Sequence, residues 1–199
     1  MPQTVDESLI HCLAALGRQR GEDFQASTEL QLAATTIAVA MTTGKYVDGY
    51  LFCGKSGSGK TSMMLAINEF LTLLRKFPTS WKYNGINSLE SLYVKAEDFQ
   101  HPSVLYEINK VATAIPVLLV DNLGYEIDGV NSQVAVKSVS NLIMERYGRG
   151  LLTFISTPFD IQSIREIYGS RVASIISENY HIEEFECNTF RKGLCYEKE

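Results

Sequence analysis

The chain lacks any apolar run long enough to span a bilayer. Its first twenty residues, Met1 to Arg20, also lack the basic-then-apolar order of a secretion signal, so a cytoplasmic setting is expected and no membrane partner. Cysteine is scarce. Cys12, Cys53, Cys187 and Cys195 form no C-x-x-C pair, and His11, His101 and His181 lie far apart, which leaves no zinc-ligand spacing. Positive charge is in deficit as well, with 18 Lys and Arg against 23 Asp and Glu, a net charge of −5. That balance argues against a surface coated for nucleic acid, although a local basic strip acting in an assembly stays compatible with it. What remains is an ordinary globular composition, 45% hydrophobic over 199 residues, enough for one domain with a small appendage.

The pattern along the chain is orderly. Apolar residues at Leu9, Ile10, Leu13 and Leu16 predict a short amphipathic helix over 5–17, ended by Gly17. A polar stretch to Ala26 follows, and a second helix is expected from a cap at Ser27 or Thr28 to Gly44. From Tyr46 onward strands and helices alternate. Strands are predicted at 49–53, 91–95, 116–120, 151–156 and 181–186, and helices at 60–76, 100–113, 131–148, 160–167 and 169–178. Such alternation specifies an α/β fold, a parallel five-stranded sheet with helices on both faces. The uninterrupted apolar runs 115–120 and 151–155 fit strands covered on both sides.

Between the first strand and the helix after it stands Gly54-Lys55-Ser56-Gly57-Ser58-Gly59-Lys60-Thr61, which satisfies G-x-x-x-x-G-K-S/T at every fixed position. The strand–loop–helix context is the one this phosphate loop requires. Glycines let the backbone wrap around phosphate oxygens, and the helix N-terminus adds partial positive charge. Lys60 reaches the β- and γ-phosphates, the Thr61 hydroxyl ligates Mg2+, and Ser62 closes the binding set. The motif therefore predicts a P-loop NTPase. No N-K-x-D guanine motif occurs, which favours ATP over GTP.

The run Val117-Leu118-Leu119-Val120-Asp121 ends a buried strand on a carboxylate, the expected second holder of Mg2+ opposite Thr61. A polar turn over Asp121-Asn122-Leu123-Gly124 is the competing reading. Many ATPases carry an acid at the next position to orient or deprotonate water. Here Asn122 stands there, able to hold a water but not to take its proton, with Glu126 and Asp128 as nearby substitutes. ATP binding is thus better supported than fast hydrolysis. The strand 151–156 ends in Ser156-Thr157-Pro158, where a polar side chain would lie near the γ-phosphate; Thr157 is the first choice and Ser156 the reserve. Either residue could equally serve the start of the helix at Asp160. Arg171, just inside a helix N-terminus, is disfavoured by the helix dipole, which suggests another use. It is a candidate arginine finger reaching a neighbour's γ-phosphate, against a solvated surface arginine as the bland alternative.

In this order, Gly54–Thr61, Leu119–Gly124, Phe154–Pro158, Tyr168-Gly169-Ser170-Arg171-Val172 and Phe190-Arg191-Lys192-Gly193, the chain resembles the DnaC/DnaI-type bacterial helicase loaders and the IstB transposition ATPases, a branch of the AAA+ ATPases. The resemblance covers about residues 46–193. It implies an AAA+ ATPase core over 46–199 without a C-terminal lid, preceded by a short helical extension over 1–45. It further implies Lys60, Asp121, Asn122, Thr157 and Arg171 as the working residues, ATP and Mg2+ as cofactors, and a homo-oligomer with nucleotide at subunit interfaces. The implied partner is a replicative helicase or another DNA-transaction protein, with single-stranded DNA as a further ligand.

The sequence departs from the family pattern at Asn122, where an acid is usual, and at Pro158, where an Asn often stands. Between Glu97 and Val117 there is room for only one helix. The helix at 5–17 either substitutes for the loaders' helicase-gripping domain or packs on its own core. Arg75, Lys76 and Lys82, with Trp81 and Tyr83, and Arg146 and Arg149 around Gly148, are candidates for a single-strand groove. A nucleotide-gated, non-hydrolysing adaptor and a small-molecule phosphotransferase are the rival functions.

Overall fold

Each of the predicted apolar runs becomes a strand of one parallel sheet. The computed structural model describes residues 9–15, 28–43, 47–76 and 88–185. In chain order the elements are helix α1 (residues 9–15), α2 (Thr28–Thr43), β1 (Gly49–Gly54), α3 (Lys60–Arg75), β2 (Ser91–Lys95), α4 (Pro102–Ala112), β3 (Val117–Asp121), α5 (Ser132–Gly148), β4 (Leu152–Ser156), α6 (Ile161–Tyr168), α7 (Ser170–Asn179) and β5 (Tyr180–Phe185). Short 3₁₀ turns at Ala96–Gln100 and Tyr125–Asp128 follow β2 and β3. The sheet order is β2-β3-β4-β1-β5, and every pairing is parallel. The five predicted strands agree with these to within a residue at each end. The fourth predicted helix begins later than expected because Pro102, with no amide hydrogen to donate, takes the first helical turn.

The two-residue period of the strands sorts the sheet into two faces. Tyr50, Phe52, Val117, Leu119, Leu152 and Phe154 point to the side covered by α1, α2 and α3. Leu51, Cys53, Leu118, Val120 and Ile155 point to the side covered by α4 to α7. Register carries this parity across the sheet, Leu119 facing Phe154 and Tyr93 facing Leu119. Tyr50 stacks on Phe154 with centroids 4.9 Å apart.

Helix α1 sends Leu9, Cys12 and Leu13 into the α3 cluster. Burying each leucine contributes about 1.5–3 kcal/mol, and this docking is what holds the helix in shape. Its apolar face is therefore spent on its own core.

One expectation is corrected. Arg146 does not line a groove; it is fully buried. Its guanidinium donates to the carbonyls of Ala112, Ile115, Pro116 and Leu152 and to Thr153 Oγ1, at 2.5 to 3.3 Å. Burial lowers its pKa to about 10. Five acceptors saturate the fork of donors and fasten the leading ends of β3 and β4 together. Arg149 is exposed and pairs with Glu145 at 2.6 Å. Arg75 and Lys76 are exposed at the end of α3, while Trp81, Lys82 and Tyr83 lie outside the described residues.

Candidate functional site

The trailing ends of β1, β3 and β4 lie side by side, and the site is built there. After β1 the chain turns through Gly54, at φ 129°, and enters α3 through Gly59, at φ 100°. Both conformations exclude ordinary L-residues. At Gly54 the exclusion is also spatial, since a Cβ there would collide with the carbonyl oxygen of Phe185 in β5. The turn places the N-terminus of α3 behind the loop, with Met63 N–H donating to Gly59 O at 2.9 Å. Lys60 lies inside the loop, 6% exposed, and its ammonium donates to the carbonyls of Gly54 and Lys55, both at 2.7 Å, and to Ser58 Oγ at 3.3 Å. Burial lowers its pKa, against the opposing pull of Cys53 and Asp121. The Lys55 and Ser56 side chains are exposed, whereas Gly57, Thr61 and Ser62 are half-buried.

Asp121, 1% exposed, is the hub of the site. Its Oδ1 accepts from Ser156 Oγ at 2.5 Å and from Thr61 Oγ1 at 3.2 Å. Its Oδ2 accepts from Tyr93 Oη at 2.7 Å and, at 3.5 Å, from Asn122 Nδ2. Strand parity explains the convergence. Asp121 continues the Val117–Leu119 face and Ser156 continues the Leu152–Phe154 face, both toward α3 and Thr61.

Thr157 falls on the opposite parity. It is fully buried and donates to Leu123 O at 2.8 Å, while accepting from Phe159 N–H at 3.2 Å. Between the two strand-end candidates, Ser156 is thus the one whose hydroxyl meets Asp121. Sequence reasoning missed Tyr93, although its place on β2, on the same parity as Leu119, carried the signal.

Asn122 is the one non-glycine residue with positive φ among the described residues, at 60°. Asparagine tolerates this left-handed conformation better than most residues. Its N–H donates to Ser156 Oγ at 2.8 Å. Glu126 does not stand ready to activate water. It is fully buried, accepts from Gly124 N–H at 2.8 Å and takes the Tyr168 hydroxyl on its other oxygen. Asp128 is exposed. Arg171 is exposed near the start of α7 and enters no ion pair among the described residues. Asp160 caps α6 by accepting from Ser163 N–H at 2.8 Å, which lowers its pKa.

Thr61 and Asp121 offer hard oxygen donors in contact, a fit for Mg2+. No group of three or more His, Cys, Asp or Glu gathers among the described residues.

The fold as a whole has counterparts among solved structures. The DnaC helicase loader matches with a TM-score of 0.60 at 20% identity, over 82% of this chain and 93% of that one. DnaI matches at 0.61 and 20%, over 96% and 94%. The chain has the fold of the AAA+ phosphate-loop proteins. The replication initiator DnaA, in a structure bound to AMPPCP and single-stranded DNA, matches at 0.61 and 14% identity over 83% of this chain. This chain spans about half of that DnaA chain, 49% of its length. No protein-family profile matches the sequence, nor does any curated protein.

Proposed function

We propose that this chain binds ATP with Mg2+ and acts as a slow AAA+ ATPase in DNA replication, as a helicase loader or a related helper. The observation that carries the reading is the contact of Thr61 with Asp121 at 3.2 Å, beside a loop whose lysine is held inside it. Loop amides and Lys60 would take the β- and γ-phosphates. Thr61 and Asp121 would hold the metal, which when bound neutralises developing phosphate charge. Asn122, half-buried at the head of the turn after β3, would be the group that orients a water through its amide. Arg171, exposed and outside the ion pairs, is available to a neighbouring subunit in a homo-oligomer. The fold shared with DnaC, DnaI and DnaA supports a replicative helicase or single-stranded DNA as partner, and a cytoplasmic setting.

The primary experiment is binding of a fluorescent ATP analogue to the wild type and to Lys60→Ala. A loss of affinity of tenfold or more is expected, and equal binding overturns the reading. Capture of a replicative helicase from the source cell, with a slowly hydrolysed ATP analogue present, tests the loader role. A second reading, a nucleotide-gated adaptor without turnover, is favoured by one observation: the site's nearest alternative acid, Glu126, is enclosed by Tyr168. Turnover measured with and without single-stranded DNA separates the two.

A further inference from the structure

Glu126 joins two segments that the nucleotide reading uses for different ends. Its Oε2 accepts from Gly124 N–H at 2.8 Å, inside the turn that opens with Asp121 and Asn122. Its Oε1 accepts from the hydroxyl of Tyr168, the last residue of α6. The turn is held firmly around this link. Leu123 N–H donates to Ser156 O at 2.7 Å, and Thr157 Oγ1 donates to Leu123 O at 2.8 Å, which ties it to the end of β4. Gly124, at φ 112°, lies so close to Phe159 that a Cβ would overlap its ring. On the far side of the link, Gly169 alone separates α6 from α7, at φ 92°. Its N–H donates to Arg165 O at 3.1 Å, and its carbonyl accepts from Ala173 N–H at 3.2 Å. Arg171 follows in the first turn of α7, exposed.

The joint itself does not steer α7, since a Cβ at Gly169 would meet nothing within 4 Å. Ile164 of α6 and Val172, Ala173 and Ile176 of α7 are buried in one apolar cluster, which gives the helices depth but little direction. A hydrogen bond is directional. At the end of α6 the strong one is that of Tyr168 to Glu126. Ser140 Oγ lies 3.4 Å from Tyr168 O but has Val136 O as its closer acceptor, at 2.8 Å. Resting on the ATPase reading above, in which Arg171 serves a neighbouring subunit, we propose that Tyr168 and Glu126 are positioning residues for Arg171. Their bond sets the arginine a protomer offers its neighbour from the turn beside the protomer's own nucleotide site. Loss of the bond therefore damages the neighbour's turnover and spares nucleotide binding in the protomer that carries the lesion.

The test compares Tyr168→Phe and Glu126→Gln with Lys60→Ala and Arg171→Ala, at a temperature below every melting transition. Glu126→Gln keeps the size of the side chain but exchanges one acceptor oxygen for a donor, so it cannot accept from Gly124 and Tyr168 on separate oxygens. It carries the test should Tyr168→Phe fail to fold. Both variants should bind a fluorescent ATP analogue as the wild type does. Their turnover under assembly conditions should fall by about ten- to a hundredfold, the scale of a group misplaced rather than lost. Mixing then decides which site is damaged. Lys60→Ala keeps the arginine and should restore turnover to either variant, whereas Arg171→Ala should restore it to neither. A lesion confined to the protomer's own loop gives the reverse pattern. Wild-type turnover in a folded variant, loss of ATP binding, rescue by Arg171→Ala, or no rescue by Lys60→Ala where Lys60→Ala does rescue Arg171→Ala, each overturns the proposal alone. If the wild type shows no turnover, if Arg171→Ala turns over as the wild type does, or if Lys60→Ala and Arg171→Ala stay inactive together, the reading of Arg171 as a shared residue fails and the proposal with it.

Discussion

Tyr168 donates its hydroxyl hydrogen to Glu126, and the two side chains are buried together between the turn after β3 and the end of α6. Burial raises the Glu126 pKa above its ordinary 4.5, with the bonds from Tyr168 and Gly124 opposing, and burial together with the Glu126 charge raises that of Tyr168. A carboxyl group whose folded pKa is raised binds its proton more tightly in the folded state. Stability is therefore highest below the unfolded value and falls as pH rises through the window above 4.5. Urea unfolding of Glu126→Gln should show a variant that gains on the wild type as pH increases through that window. Parallel curves would mean that Glu126 does not titrate there. Tyr168→Phe removes a donor from a buried acid and should cost about 1–3 kcal/mol, more at neutral than at acid pH.

Asn122 holds the left-handed conformation at the head of the same turn. Asn122→Gly should therefore stay within about 0.5 kcal/mol of wild type, whereas Asn122→Val should lose about 1–2 kcal/mol or more. Thermal melting compares them, and equal losses would show that the side chain rather than the backbone matters. Asn122→Glu carries the same backbone penalty. If a missing carboxylate limits hydrolysis, its turnover should rise even as its melting temperature falls, with little change in ATP affinity.

Removing the buried guanidinium in Arg146→Ala strands four carbonyls and a threonine hydroxyl. A loss on the order of 4 kcal/mol is expected, and Arg146→Lys should recover only part of it, because an ammonium offers three donors in place of five. Denaturant unfolding reads both. Full rescue by lysine would mean that charge, not the fork of donors, is what the site needs.

Arg171 should be tested in mixtures. Arg171→Ala should keep the ATP affinity of the isolated protomer yet lose turnover under assembly conditions. Fingers of this kind contribute on the order of 10³–10⁵ in rate, and a weak ATPase should lie at the lower end. Mixed with Lys60→Ala, which retains the arginine, it should form some interfaces joining an intact loop to an intact finger, and activity should partly return. Two folded, co-assembling variants that stay inactive together would remove Arg171 from the shared site.

The sheet was legible because its strands are unbroken apolar runs set apart by helical spacing, and the loop because its glycines and Lys60 are fixed by phosphate geometry. Charged residues with interior partners were harder to read. Arg146 looks like a surface residue by type, yet it falls on the stripe Val139, Leu142, Ile143, Arg146 at helical spacing, which marks it as inward-facing. Glu126 looks from the sequence like a substitute for the missing acid, because its partner, Tyr168, lies 42 residues away along the chain. That Ser156 turns toward Asp121 and Thr157 away from it follows from parity counted from Phe154, but only with the strand's register against β3 in hand.

The docking of α1 gives the first helix a thermodynamic voice at the nucleotide site. Leu9 and Leu13 share one apolar cluster with Met63, Met64 and Ile67 of α3, the helix that begins at Lys60. A partner that binds only the exposed side of α1, where His11 lies, leaves that cluster whole. A partner that peels α1 away uncovers the support of the loop's own helix. Linkage then runs both ways: such a partner would weaken nucleotide binding, and bound nucleotide would resist that partner by the same factor.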